Sequence, residues 1–297
     1  MLPFALRRFR RHDEAVATST TLDGDARQAI ERARVLQINQ AGMELLLRHH
    51  GRRVLAALET AGVAAAIVKG PTFADRLYAE PAMRTFTDID VLIPLSGRET
   101  SRTVLQDLGF ELHDRDYREG RDFFEDVWLL ATDRRVSIEI HSDLVHNPKL
   151  RARASLSHDG LMSAGAGDTN DATALLFVAA THGAMSHQFD RLQHLVDVSR
   201  AASGTGGPID WQRLRNVCDM TGTRRGVVAA LTLAGTMFSN RSLMQAADLL
   251  QPSLGDRLSG RLVTPAAVLD ARSDRRSAMS WRRKMFRQSL RGGRRAI

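Results

Sequence analysis

The chain has 297 residues, 43% of them hydrophobic, so it can bury a sizeable core in one large domain or two modest ones. A single cysteine, Cys218, excludes an internal disulfide and any cysteine-cluster metal site, which fits a reducing compartment. The net charge of +8 sits at the ends: residues 271–297 hold ten Arg or Lys against one Asp, and residues 1–12 hold four Arg and no acid, leaving the body at −5.

No signal peptide is visible, because the arginines of MLPFALRRFRR follow a short apolar stretch and no small-residue cleavage site comes after them. The longest apolar stretch, near Gly226–Phe238, is too short to span a bilayer. The expectation is a soluble cytoplasmic protein, with residues 1–23 as a basic arm.

Residues 24–60 read as helical, since Ala26, Ala29, Ile30, Ala33, Leu36 and Ile38 recur at helical spacing among charges, and Gly51 is a candidate break. Val63–Val68 is a short apolar strand. Gly70-Pro71 opens a helix that runs through Tyr78 and stops before Pro81. Residues 86–93, FTDIDVLI, form the clearest strand. A helix over 99–108, a short strand at 110–113 and an antiparallel pair at 126–130 and 135–141, turned at Thr132-Asp133, complete the first half. From 171 onward helices dominate, placed near 171–187, 189–203, 209–219, 221–238 and 241–251. The predicted class is α+β: an α/β core with a mixed sheet at 24–150, preceded and followed by helical segments. A linker covers 151–170, a helical domain 171–270, and a basic tail, disordered or amphipathic, 271–297.

Three carboxylates stand out. Strand side chains alternate, so Asp88 and Asp90 share one face of an apolar strand while Ile89, Val91 and Ile93 share the other. Glu139 repeats the pattern between Ile138 and Ile140. Carboxylates crowded on one face repel and are costly to bury, a cost that a divalent cation removes. Magnesium, with manganese as its substitute, suits a few carboxylates plus substrate phosphates. The other reading is a solvated sheet face that binds nothing.

Lys69-Gly70 follows a strand and precedes a helix, a place where backbone N–H groups and a compact cation meet a phosphate. The chain has only three lysines, Lys69, Lys149 and Lys284, which draws attention to this one. Arg84, four residues before Asp88, can neutralise a carboxylate or a phosphate.

Taken in order, Lys69-Gly70, Tyr78, Pro81, Arg84, Asp88-Ile89-Asp90 and Glu139-Ile140-His141 resemble the uncharacterised nucleotidyltransferase family of bacteria, within the polymerase-beta-like superfamily. The resemblance covers roughly 30–240. Thr181-His182-Gly183, His187 and Leu192 through Asp197-Val198 resemble the family's second stretch. It implies a nucleotide-binding α/β domain joined to helices, magnesium at Asp88 and Asp90, Glu139 as third carboxylate, and a nucleoside triphosphate as substrate. Two departures are a Lys-Gly turn where classical superfamily members carry Gly-Ser, and Ser142 where the family often has an aromatic residue.

His182, His187 and His194 share a helical region but do not match H-E-x-x-H or another zinc spacing. A lone helical histidine is more often structural; His182 is kept as a candidate nucleotide contact. Asp197 is another, with Arg191 or Arg200 as its expected ion-pair partner. The tail interleaves Trp281 and Phe286 with arginines, and a helix there would place Ala278, Trp281, Met285 and Leu290 on one side, suited to an anionic membrane surface or RNA. Its few aliphatics make it separable from the fold.

Three functions follow. The first is transfer of a nucleoside monophosphate to a hydroxyl of a small molecule or biosynthetic intermediate. The second is an RNA- or tRNA-directed transferase of the toxin–antitoxin type, which the basic ends favour. The third is a non-catalytic nucleotide-binding protein, against which the three carboxylates argue.

Overall fold

The computed structural model describes residues 24–80, 83–113, 125–168, 170–270 and 281–292. The expected arm at 1–23, Pro81 and Ala278 lie outside them.

Helix α1 is Gly24–Thr60, one unbroken helix of 37 residues. Gly51 does not divide it. A Cβ at Gly51 would stand 3.3 Å from Ile89 Cγ2 and 3.5 Å from Ile67 Cδ1, so this glycine lets the helix lie directly on the sheet. Strand β1 is Ala66–Ile67, helix α2 Pro71–Leu77 and strand β2 Ile89–Leu92. Helix α3 (Arg98–Asp107) leads to β3 (Phe110–Leu112), β4 (Glu125–Leu130) and β5 (Asp133–His141). The sheet order is β1-β2-β5-β4-β3. Only β2 and β5 pair in parallel, which makes the sheet mixed, and β4 and β5 form the expected antiparallel pair.

Alternation along the strands divides the interior into two cores. Ile89, Val91 and Ile93 join Val136, Ile138, Ile140 and Trp128 against Leu47, Val54 and Leu58 of α1. Leu92 joins the other core, with Val68, Phe73 and Leu77. The face carrying Asp90 therefore looks away from α1.

The stretch expected to be a linker is structured. Helix α4 (Pro148–Arg151) leads into it with Leu150 buried, α5 (His158–Ser163) lies within it, and Ala154, Leu156 and Leu161 are buried in the second core. Asn147 and Ser157 cap these helices with side-chain oxygens on backbone N–H groups, so even these short turns begin with satisfied donors. Helix α6 (Ala172–Thr181), capped by Asp171, is buried at every position, and its end widens into a π-turn at His182–Ser186. Around it stand α7 (Leu192–Ala202), α8 (Trp211–Thr221), α9 (Arg224–Met237), α10 (Arg241–Leu249), α11 (Leu254–Gly260) and α12 (Pro265–Leu269).

The described part of the tail is an amphipathic helix, one of the two expectations, and it is not separable from the fold. Helix α13 (Trp281–Ser289) packs into the second core through Phe286 and, just beyond its end, Leu290, both essentially unexposed. Arg283 donates from one nitrogen to the carbonyls of Phe189 at 3.2 Å and Ala267 at 2.7 Å. Trp281 and Met285 are exposed at 62% and 47%, so they do not share Leu290's side. Two buried apolar anchors make this segment part of the fold. No helix among the described residues is long and apolar enough to cross a membrane.

Candidate nucleotide and metal site

Parallel pairing sets Asp90 of β2 opposite Glu139 of β5, with Leu92 opposite His141. The two carboxylates thus arise from neighbouring strands in one register. His141 is fully buried, and its Nε2 lies 3.0 Å from Asp90 Oδ1 and 3.6 Å from Glu139 Oε2. Lys69 reaches the same Asp90 oxygen with its Nζ at 2.5 Å.

These groups set one another's charge. Burial opposes ionisation of Asp90, but Lys69 and then His141 hold its carboxyl well below the usual carboxylate range. Burial likewise opposes the Lys69 ammonium, and Asp90, then Glu139 and Asp88, keep it charged. For His141 burial is outweighed by hydrogen bonds to Asp90 and Glu139, which lift the imidazole to about 9. For Asp88 burial, then the charges of Asp90 and Glu139, outweigh the pull of Lys69 and His141 and push it up to about 6.

The donor atoms of Asp90, Glu139 and His141 lie within 4.8 Å of one another; Asp88 is not part of that group. Asp88 does adjoin the Lys-Gly turn, because a Cβ at Gly70 would stand 3.3 Å from the Asp88 carbonyl oxygen. Gly70 has φ 52 and ψ −112, a conformation that residues with a Cβ avoid. Val68 N–H donates to the Asp90 carbonyl at 3.1 Å, which ties the turn to β2.

Arg84 and Asp197 meet each other. The guanidinium donates to both Asp197 oxygens at 3.1 Å and to the Gly70 carbonyl at 3.2 Å. Tyr78 donates its hydroxyl to Asp197 at 2.6 Å. The partner of Asp197 is thus Arg84 rather than Arg191 or Arg200; Arg200 lies over the Tyr78 ring, 5.7 Å from its centroid. Asp197 of α7 and the turn before α2 are linked through one buried cation.

His182 stands with His187 and His194, its ring centroid 4.6 and 5.2 Å from theirs. Burial first, and then the Lys69 charge, push its imidazole well below the usual range.

Two residues beside the carboxylates were not singled out from sequence. Glu125 Oε2 lies 3.2 Å from His146 Nδ1, and both sit with His141. Glu125 is the register partner of His141, but the register shift between Leu129 and Leu130 hides this pairing from a count outward from the hairpin turn. Its carboxyl is pushed up to about 7 by burial and, against His141, by Glu139. His146 stacks on His141 at 5.5 Å. Among the described residues, His141 Nδ1 and His146 Nε2 are buried without a hydrogen-bond partner.

The donors suit a divalent cation. Asp88, Asp90 and Glu139 are all oxygen donors, as magnesium prefers, and the Asp88 carboxyl is raised by burial first and by the charges of Asp90 and Glu139 second, which Lys69 and His141 offset only in part.

No curated protein and no solved structure matches the chain. The family described as uncharacterised nucleotidyltransferase matches residues 15–239, which takes in the sheet, the Lys-Gly turn and α7. A match over that share of 297 residues places every group described above inside it, and the chain belongs to the uncharacterised nucleotidyltransferase family.

Proposed function

We propose that the chain transfers a nucleoside monophosphate from a nucleoside triphosphate to the hydroxyl of a small molecule or biosynthetic intermediate. The observation carrying this reading is Asp90 and Glu139 in register on neighbouring parallel strands, with the Lys69-Gly70 turn tied to the same strand. Asp88, Asp90 and Glu139 would hold a divalent cation, which would supply charge neutralisation at the phosphate oxygens when bound.

The acceptor oxygen bonds to the α-phosphorus, the bond from that phosphorus to the β-phosphate bridging oxygen breaks, and pyrophosphate leaves. Lys69 exchanges part of its contact with Asp90 for a phosphate oxygen, and Gly70 lets the phosphates approach the backbone. Arg84, anchored by Asp197, donates to the Gly70 carbonyl and so positions the turn for the nucleotide. His182, beside the Lys69 charge, borders the nucleotide.

The acceptor proton passes to Glu139. Glu125, poised at about 7 and hydrogen-bonded to Glu139, can take up the proton load. His141 stays protonated and keeps Asp90 ionised, and Glu139 ionised until the acceptor proton reaches it.

The test is transfer of label from each α-labelled nucleoside triphosphate, with magnesium or manganese, into deproteinised small-molecule extract and, in parallel, into bulk transfer RNA. Wild type labels the small-molecule fraction, and Glu139→Gln loses turnover by about 100-fold or more while still binding nucleotide. Labelled transfer RNA alone would move the acceptor to the RNA-directed class. No label from any nucleotide in either fraction would remove the transferase reading.

A further inference from the structure

We propose that His187, Asp190 and His194 form a second metal site, built for a zinc-class cation and separate from the carboxylate cluster. His187 Nδ1 and His194 Nε2 approach the same oxygen, Asp190 Oδ1, at 3.5 and 3.1 Å. All three donor atoms lie within 4.8 Å of one another. Zinc holds nitrogen and carboxylate oxygen at about 2.0–2.2 Å, so neighbouring ligands of a tetrahedral site stand roughly 3.3–3.5 Å apart. The two distances to Asp190 bracket that edge.

Two imidazoles and one carboxylate select against magnesium, which takes oxygen donors, and in favour of zinc and its neighbours. Three protein ligands leave a fourth position for water or substrate. The side chains of His187 and Asp190 are 33% and 31% exposed, so that position is reachable from solvent, while His194 is 9% exposed and anchors the site.

The backbone here is shaped to bring these donors together. Helix α6 ends in the π-turn His182–Ser186, a feature found often at functional sites. Gln188 and Phe189 follow with φ of 49 and 56, which non-glycine residues hold only when their surroundings impose it. Gln188 is fixed by its side-chain amide donating to the Met185 carbonyl at 2.8 Å. Phe189 is fixed by its N–H donating to the Gly183 carbonyl at 2.8 Å and by burial beside Phe286. Gly183 leaves the room required, since a Cβ there would stand 3.1 Å from Phe189 and 3.2 Å from His194. The turn thus carries His187 back over the first turn of α7, to a ring-centroid distance of 4.5 Å from His194.

The donor order is His-x2-Asp-x3-His, with the carboxylate between the imidazoles, which is why a search for paired-histidine spacings passes over it. Asp197 lies one turn after His194 on α7 and holds Arg84, so the site braces the helix that supports the Lys-Gly turn.

The test uses the full-length protein, stripped with a chelator, reloaded with zinc, gel-filtered and assayed for bound metal by mass spectrometry. Wild type retains about one zinc per chain, and cobalt in its place gives the intense visible bands of a tetrahedral site. His187→Gln and Asp190→Asn each reduce bound zinc to background and abolish those bands, with thermal melts showing that both variants are folded. His146→Gln and Asp90→Asn keep the zinc. Wild type without bound zinc would overturn the proposal. So would zinc that persists in both His187→Gln and Asp190→Asn, or zinc lost only in His146→Gln or Asp90→Asn, which belongs to the carboxylate cluster.

Discussion

Asp88 and Asp90 stand two residues apart, one just before β2 and one within it, and share their chemistry, yet their surroundings make them opposites. Asp90 is paired with two buried cations, whereas Asp88 is pushed up to about 6 by burial and by its neighbours. In metal-free protein the two asparagine variants should therefore move stability in opposite directions. Asp90→Asn leaves Lys69 and His141 without their shared anion and should cost about 3–5 kcal/mol. Asp88→Asn removes a charge that burial disfavours first and Asp90 and Glu139 repel second, and should stabilise by on the order of 1–2 kcal/mol at pH 7. The sign follows from linkage: a carboxyl whose folded value is raised binds its proton more tightly in the native state. Stability therefore falls as pH rises from about 4, the unfolded value, to about 6, the folded one. Denaturant melts across that window check this. Wild type should lose stability where Asp88→Asn does not, and parallel curves would mean that Asp88 carries no crowding. Both variants should still lose nucleotide transfer.

At the scale of elements, the site depends on how closely α1 and β2 approach. Gly51 is the point of contact, and the Ile89 side chain fills the space that a Cβ would need. Gly51→Val should push the helix off the strand and cost about 1–3 kcal/mol, with activity falling as Asp90 shifts. A chemical melt and a transfer assay on one preparation check it; an unchanged midpoint would mean that α1 yields without strain. From sequence, Gly51 is a candidate break, since a glycine inside a helical pattern does not reveal what lies on top of it. The strand phase of Asp90 and Glu139 is legible, because alternation of apolar and acidic residues is a local property, whereas Asp88 lies just before β2. The pairing of Arg84 with Asp197 is not, because 113 residues separate them and only the packing of α7 near the turn brings them together. Short helices α4 and α5 escape notice for a similar reason: they carry too few residues to display a period, and their local signs are the caps at Asn147 and Ser157 and the leading Pro148.

Across the whole molecule, charge and packing meet in the C-terminal segment. Residues 271–297 carry ten of the chain's 42 Lys and Arg, a composition that suggests a detachable polyanion-binding arm. Helix α13 nevertheless inserts Phe286 beside Phe189, at a ring-centroid distance of 5.8 Å, and Phe189 belongs to the turn that places His187. Truncation would thus remove core along with charge and cannot report on the charge alone. Point variants separate the two. Phe286→Ala should destabilise by about 3–5 kcal/mol, the usual cost of a deleted buried aromatic ring. Trp281→Ala, at an exposed position, should change stability by less than about 0.5 kcal/mol. Calorimetric melts distinguish them directly. The stable double variant Trp281→Ala, Met285→Ala then serves for the partner. Binding to anionic vesicles that survives high salt in wild type and is lost in the double variant marks a membrane surface. Binding to transfer RNA that falls steeply with salt in both proteins marks nucleic acid. A Phe286→Ala protein that melts with wild type would mean that α13 contributes charge and no core, and the truncation would again be a clean test.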